Sequence, residues 1–327
     1  MKAAWYTSFG PAEEVLNVGE FETPDPETGE VKIRVYASGV NPSDTKKRLG
    51  ANPVLLDDGP VIPNSDGAGE IIAVGEGVSS SRVGERVWVF NAQYGRQLGT
   101  SAEYVCLPSD YAIILPESAD YSTGAMMGIP AMTSHRCVFA DGPVEGKTLL
   151  ITGGAGRVGY YAIQWAKHYG ATVIATASSD SSREQCKNAG ADLVVGHPSD
   201  NSVQQIQQFT GGKKIDRIVE GDFGANLLPV LEILKTGGTI ATYSSMTDMN
   251  PSIPFVRMMF MDITVRMVLV YAMPQEAKEH AAKDITTMLS KNLLDNRAAK
   301  EYSLENSASA HNLIESGKAY GSVIIKP

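Results

Sequence analysis

Three glycines in the stretch Leu149 to Gly170, LLITGGAGRVGYYAIQWAKHYG, stand at the spacing G-x-G-x-x-G: Gly154, Gly156 and Gly159. Glycine at the first place permits a tight turn, at the second lets a pyrophosphate approach the backbone, and at the third lets a helix pack closely on a strand. A helix starting there offers unpaired N–H groups to phosphate. Gly154, Ala155, Gly156, Arg157, Val158 and Gly159 are therefore the candidate dinucleotide loop. Glycine is common in this chain, 32 of 327 residues, so spacing alone is weak evidence and its setting decides. An apolar strand precedes the loop, a helix follows to His168 and ends at Gly170, and a second strand runs from Thr172 to Ala177, completing the βαβ unit such a site needs.

Neighbouring motifs fail on their own residues. GPVEGKT, Gly142 to Thr148, imitates a phosphate-binding loop but has three residues before GKT where four are required, and it precedes its strand. Thr152-Gly153 resembles the opening of short-chain dehydrogenases, yet Arg157 replaces a glycine of that pattern and no tyrosine is followed four places later by lysine. Cys106, Cys137 and Cys186 form no C-x-x-C pair and read as small core residues of a reducing compartment. His135, His168, His197, His280 and His311 are scattered, with no H-E-x-x-H, so no metal site is expected.

After the second strand comes Thr176-Ala177-Ser178-Ser179, where an NAD-binding chain generally carries an acid for the ribose hydroxyls. Ser178 and Ser179 can donate to a 2′-phosphate without repelling it, and Arg183 on the next helix can pair with its charge. This favours NADPH. Asp180 argues the other way, unless it caps the helix that carries Arg183.

A formal charge of −9 and an apolar content of 43% suit a globular enzyme of two domains acting on small molecules, with neither nucleic acid nor membrane as partner. The N-terminal MKAAWYTSFGPAEE lacks a signal core, no run approaches a membrane span, and a cytoplasmic location is expected. Up to about residue 120, short strands (Met1 to Tyr6, Val31 to Ser38, Gly67 to Val74, Glu85 to Phe90, Ser101 to Leu107) predict a β-rich barrel or sandwich. From Ser122 onward, helices alternate with strands at Thr148 to Thr152, Thr172 to Ala177, Asp192 to Val195, Asp216 to Glu220, Gly238 to Ser244 and Asp262 to Val270, predicting a doubly wound parallel sheet. Helices are expected at Asn201 to Thr210 and Ala225 to Lys235, ended by Gly211-Gly212 and Gly237-Gly238. A helix-containing stretch from Pro274 to Lys318, with Ser303 or Ser307 as cap, leads to a strand at Ser322 to Lys326 that rejoins the first domain. Ligands collect at strand C-termini, which nominates Gly221 and Asp222 after the fourth strand and Ser244-Ser245 after the fifth.

SGVNPSD at Ser38, PNSDGAGEI at Pro63, VGERV at Val83, GIPAMT at Gly128, GGAGRVG at Gly153 and the terminal GSVIIKP together resemble the medium-chain dehydrogenase/reductase superfamily, and within it the zinc-independent, zeta-crystallin-like quinone oxidoreductases, over essentially the whole chain. The resemblance implies a GroES-like β-rich catalytic domain, 1–122 and 271–327, and a Rossmann domain, 123–270, with sheet order 3-2-1-4-5-6 and the nicotinamide between the two. Zinc-dependent relatives have a cysteine about where Asn41 stands and a His-Glu pair about where Ser65-Asp66 stand, so those ligands are missing. Without a Lewis acid, hydride transfer to an electrophilic quinone or activated C=C bond fits better than alcohol oxidation.

Laid on this chain, the family motif points to Asn41 to orient ribose or acceptor, Ser43 to donate to a developing oxyanion and Asp44 to hold the loop. Similar reductases often carry tyrosine at Lys46 and commonly near Asn52. Lys46 is thus either a cationic donor to the acceptor or a solvated charge of the KKR run. Thr133 matches the position beside nicotinamide, and His197 resembles the residue that covers adenine. The resemblance also implies a homodimer formed through the apolar segment Pro254 to Met273, whose density a fully buried parallel strand would explain equally well. Enone or alkenal reduction and a noncatalytic, crystallin-like role remain alternatives to quinone reduction.

Overall fold

Along Glu30–Val40, EVKIRVYASGV, the apolar residues Val31, Ile33, Val35 and Ala37 fall on one face and Lys32, Arg34 and Tyr36 on the other, the period of a half-buried strand. This strand is the hub of a seven-stranded sheet. It pairs antiparallel with Asp66–Val74, Tyr104–Pro108 and the C-terminal Ser322–Lys326. Arg86–Val89 and Ala112–Ile114 extend one side and Ala298–Ser303 the other. Val31, Ile33, Val35, Ile71, Val87 and Leu107 form its core. The computed structural model describes residues 1–197 and 200–327, which divide into two compact units: Met1–Ile129 with Ala282–Pro327, and Pro130–Ala281.

The second unit is a doubly wound α/β layer. Its six strands are, in chain order, Thr148–Ile151, Thr172–Thr176, Leu193–Val195, Ile215–Glu220, Leu234–Thr242 and Thr264–Met267. All neighbours run parallel in the spatial order 3-2-1-4-5-6, so the sheet reverses direction between strands one and four. Leu150, Ile174, Ile218 and Ile240 from four strands meet Phe223, Leu227 and Leu231 of a covering helix.

Several local expectations change. The helix expected at Ala225 to Lys235 is Phe223–Leu231, and Leu234 and Lys235 already belong to strand five. Gly237-Gly238 therefore caps no helix: it lies inside that strand at a register shift, with Gly237 at φ 71°. Gly211 and Gly212, at φ 61° and 81°, do end their helix. In the C-terminal stretch, Gln275–Ser290 is one long helix, Ser303 is the N-cap of a 3₁₀ turn, Leu304–Asn306, and Asn306, not Ser307, is the N-cap of the helix Ser307–Glu315 that follows. The sixth strand is neither central nor fully buried, which removes the alternative account of the apolar Pro254 to Met273 segment.

Candidate active site

The glycine loop connects strand one to the helix Arg157–His168. Its left-handed turn is made by Gly153 (φ 60°), one residue before the expected Gly154. Gly154 is glycine for want of space: a Cβ there would lie 2.8 Å from Ala175 Cβ and 2.9 Å from Cys186 Sγ. At Gly159 a Cβ would lie 2.4 Å from the Gly153 carbonyl oxygen, as close helix packing requires. Gly156, the N-cap, differs from both. It is exposed, and a Cβ would meet only the Gly153 oxygen, at 3.1 Å, so its outer side is open to a ligand. Gly153 N–H donates to Thr176 Oγ1 (2.9 Å) and Gly154 N–H to the Thr176 carbonyl (2.9 Å), fixing the loop to strand two. Ala155, Arg157 and Val158 are half-buried along the first turn, where the helix dipole is positive. A Cβ-free, positively polarised cradle of this kind fits a pyrophosphate.

At the end of strand two, Ser178 is exposed and Ser179 half-buried. Ser179, rather than Asp180, caps the next helix: its Oγ accepts from Ser182 N–H at 3.1 Å. The Arg183 guanidinium lies alongside Gly196, 3.7 Å from where a Cβ would stand, next to the exposed His197. Ser178, Ser179, Arg183 and His197 are thus gathered about the ends of strands two and three.

The ends of strands four and five are locked to each other. Phe223 N–H donates to the Ser244 carbonyl (2.9 Å) and Gly224 N–H to Ser245 Oγ (2.9 Å), while Ser245 Oγ donates to the Asp248 carbonyl and Asp222 accepts from Thr247. Asp222 and Ser245 shape the crevice through these bonds. Phe223, Tyr243, Ser244, Ser245, Met267 and Val268 line a cavity of about 420 Å³ here. Two residues that sequence reasoning passed over belong to this end. Glu220, fully buried, accepts at Oε1 from Thr152 Oγ1 (2.9 Å), Asp222 N–H (2.6 Å) and Asn226 Nδ2 (2.8 Å), and burial raises its pKa. Tyr243, its phenol pKa also raised by burial, sets its hydroxyl 2.9 Å from where a Cβ on Gly221 would stand. Thr133 is buried on the helix Met132–Phe139 of the same unit.

Asn41, Ser43, Asp44 and Lys46 lie in the first unit, at a short helix, Pro42–Lys46, with Asn41 as N-cap. Asn41 N–H donates to Asp44 Oδ2 (2.8 Å), so Asp44 does hold the turn, and Asn41 Nδ2 donates to Asp66 Oδ2 (2.8 Å). Ser43 is half-buried. Lys46 is exposed, whereas the cation that reaches the Asn41 group is Lys47. Its Nζ donates to the Gln93 carbonyl (3.0 Å) and side chain and to Ser65 Oγ (3.4 Å), and lies 3.6 Å from Asp44 Oδ1. Asp66, fully buried and beside Asp44, has its carboxyl raised well above the usual range, first by burial and then by that neighbouring charge. Burial lowers the Lys47 ammonium, against the pull of Asp44. Asn41, Ser65 and Asp66 bring amide, hydroxyl and carboxyl together without thiolate or imidazole, a donor set ill matched to zinc.

No thiol is poised for chemistry: all three cysteines are buried, and burial pushes Cys106 and Cys137 up to about 12. Two of the scattered histidines do meet, His135 and His280 packing edge to face at 5.1 Å. Among the described residues no helix is long and apolar enough to cross a membrane.

Comparison with known proteins accords with this geometry. Residues 27–117 match the alcohol dehydrogenase GroES-like domain and residues 158–287 the zinc-binding dehydrogenase domain. The human quinone oxidoreductase is 31% identical over 99% of this chain and 97% of its own. A 2-haloacrylate reductase from a Burkholderia species is 26% identical over 100% and 99%. Among solved structures, a mycobacterial quinone oxidoreductase and a mycobacterial protein complexed with NADPH each superpose with a TM-score of 0.88 at 27% identity, covering 100% of both chains. The chain therefore belongs to the medium-chain dehydrogenase/reductase superfamily, in its zinc-independent quinone oxidoreductase family.

Proposed function

We propose that the protein is an NADPH-dependent reductase of quinones, working in the cytoplasm as a homodimer and without a metal. The reading is carried by the open face of Gly156 at a helix N-terminus in a parallel sheet of order 3-2-1-4-5-6, within a chain of this family. The glycine loop holds the pyrophosphate, and Ser178, Ser179 and Arg183 receive the 2′-phosphate. Ser244, Gly221 and Thr133 shape the nicotinamide end, and His197 covers adenine. When bound, NADPH supplies the hydride. On the acceptor side, Asn41, kept in one orientation by Asp66 and by its own turn, positions the ring. Ser43 donates a hydrogen bond to the oxygen on which charge develops, and the exposed Lys46 adds positive charge at the rim.

A second reading, reduction of an activated C=C bond, draws support from the full-length similarity to the 2-haloacrylate reductase. The two are separated by following NADPH absorbance with phenanthrenequinone and benzoquinone beside conjugated alkenals. Fast turnover of quinones is expected, and turnover of alkenals alone would reassign the protein to double-bond reduction. In the same assay Arg183→Ala should weaken NADPH roughly tenfold or more while sparing NADH, the size of a lost charge-assisted hydrogen bond. An unchanged NADPH/NADH ratio would remove Arg183 from the phosphate site.

A further inference from the structure

Ligands of an open α/β sheet sit outside the carboxyl ends of its strands where the order reverses, here between strands one and four. That junction is bridged by one carboxyl group. Thr152, at the end of strand one and beside the glycine loop, donates Oγ1 to Glu220 Oε1 and accepts from Gly221 N–H (2.8 Å), tying strand one to the end of strand four. All three donors that reach Glu220 fall on Oε1. Oε2 is buried with no hydrogen-bond partner, and Glu220 makes no ion pair among the described residues.

A carboxylate spreads its charge over both oxygens, so ionised Glu220 would bury about half a charge with no donor. Protonation removes that charge and leaves in its place one buried hydroxyl at Oε2 without an acceptor, the smaller of the two penalties. The surroundings pull both ways: burial, the largest influence, favours the acid, and the three donors on Oε1 favour the carboxylate. Asp222 adds like charge from its own loop, and Tyr243 from the end of strand five is a phenol held neutral by burial. Arg157 of the glycine-loop helix and Cys137 of Met132–Phe139 act at Tyr243, with opposite signs. Because Oε2 is closed off from solvent, Glu220 acts on a ligand in the crevice through its charge and not by contact.

We propose that Glu220 is a positioning residue of the dinucleotide site that must be neutral when the phosphates are bound, so that NADPH binding is linked to protonation of this buried carboxyl. The inference rests on the NADPH reading above. Binding at a pH where the free protein holds Glu220 ionised takes up a proton from solvent, as much as one per nucleotide. Affinity then falls as pH rises. Two unit charges roughly 8 Å apart at an effective dielectric constant of about 20 change affinity by roughly thirtyfold, which sets the full span of the effect.

The test is calorimetric titration of the full chain with NADPH, at several values between about pH 5.5 and about pH 9, in pairs of buffers with different protonation enthalpies. The same is done for Glu220→Gln, whose amide keeps the acceptor at Oε1 and stays neutral. The titration of the nucleotide's own 2′-phosphate is common to both proteins and cancels in their difference. The expected result is proton uptake and a falling affinity in the wild type, both absent from the difference-corrected Glu220→Gln profile. Wild-type binding with neither proton uptake nor pH-dependent affinity beyond that of the phosphate overturns the inference, and needs no variant to fold. Identical profiles in the two proteins also overturn it. Absence of NADPH binding at every pH overturns the cofactor reading and this inference with it.

Discussion

His311 is fully buried with neither ring nitrogen hydrogen-bonded among the described residues, and burial, helped by the nearby Arg48 charge, pushes its pKa down to about 3. An unfolded histidine titrates near 6.5, so between those values the unfolded chain binds a proton that the native protein refuses. Stability from this residue is full above about pH 6.5 and is lost as pH falls toward about 3. His311→Leu should therefore flatten the acid limb: urea midpoints at about pH 5 and about pH 8 should lie closer together in the variant than in the wild type. Equal spacing in both proteins would show that other groups set the acid sensitivity. The cations Lys46-Lys47-Arg48 illustrate what single residues reveal. Read as charges they form one solvated run, but consecutive residues of a helical turn point about 100° apart and cannot all face water. Lys46 faces out, Lys47 turns toward Asp44 and Gln93, and Arg48 is fully buried against Gly10 and Glu315. Their partners lie far off in sequence, so periodicity could not say which cation the Asn41 group would meet.

The glycine loop shows that one spacing can conceal three different constraints. A methyl group at Gly154 would press on Ala175 and Cys186, whereas at Gly159 it would meet backbone atoms of Gly153 and Gly154, which cannot turn aside. Gly154→Ala should cost about 1–3 kcal/mol by overpacking, and Gly159→Ala at least as much. Gly156→Ala, whose Cβ would meet only the Gly153 carbonyl oxygen at 3.1 Å, should cost less stability than either and weaken NADPH binding, because it narrows the open face proposed for the pyrophosphate. Urea unfolding and nucleotide titration on the three variants separate these outcomes. Equal loss of stability at all three positions would mean that the loop is purely structural. The same contrast explains which elements were legible. The Rossmann strands follow from apolar runs between helices, since a buried parallel strand must be apolar on both faces, whereas their order is implied only by the family resemblance. Ala298–Ser303, AAKEYS, is mostly exposed and carries no alternation, so it was missed. Gly237-Gly238 was misread because a strand irregularity and a helix cap both select glycine.

At the scale of the molecule, the unsolved problem of the second unit is its edge. Among the described residues strand six, Thr264–Met267, has a single neighbour, and the chain around it exposes Phe255, Val256, Met259, Phe260, Met267 and Leu269, with Phe260 79% and Met267 78% exposed. A monomer rarely leaves a patch of this kind in water, and an unpaired edge strand invites pairing with a second edge. A twofold axis through such an edge lets two identical strands run antiparallel, satisfying their N–H and C=O groups while the same apolar side chains cover one another. The density of Pro254 to Met273 is not that of a central strand, and it is what the proposed homodimer would cover. If the proposed homodimer forms through this edge, Phe260→Asp combined with Met267→Asp should leave only monomer in light scattering, since a buried unpaired carboxylate costs several kcal/mol at each of two symmetric positions. The glycine loop, at the other side of strand five from this edge, should keep its NADPH affinity in that variant. A wild-type protein that is monomeric at micromolar concentration would show that the patch serves something other than self-association. A variant still dimeric would place the interface elsewhere on the chain.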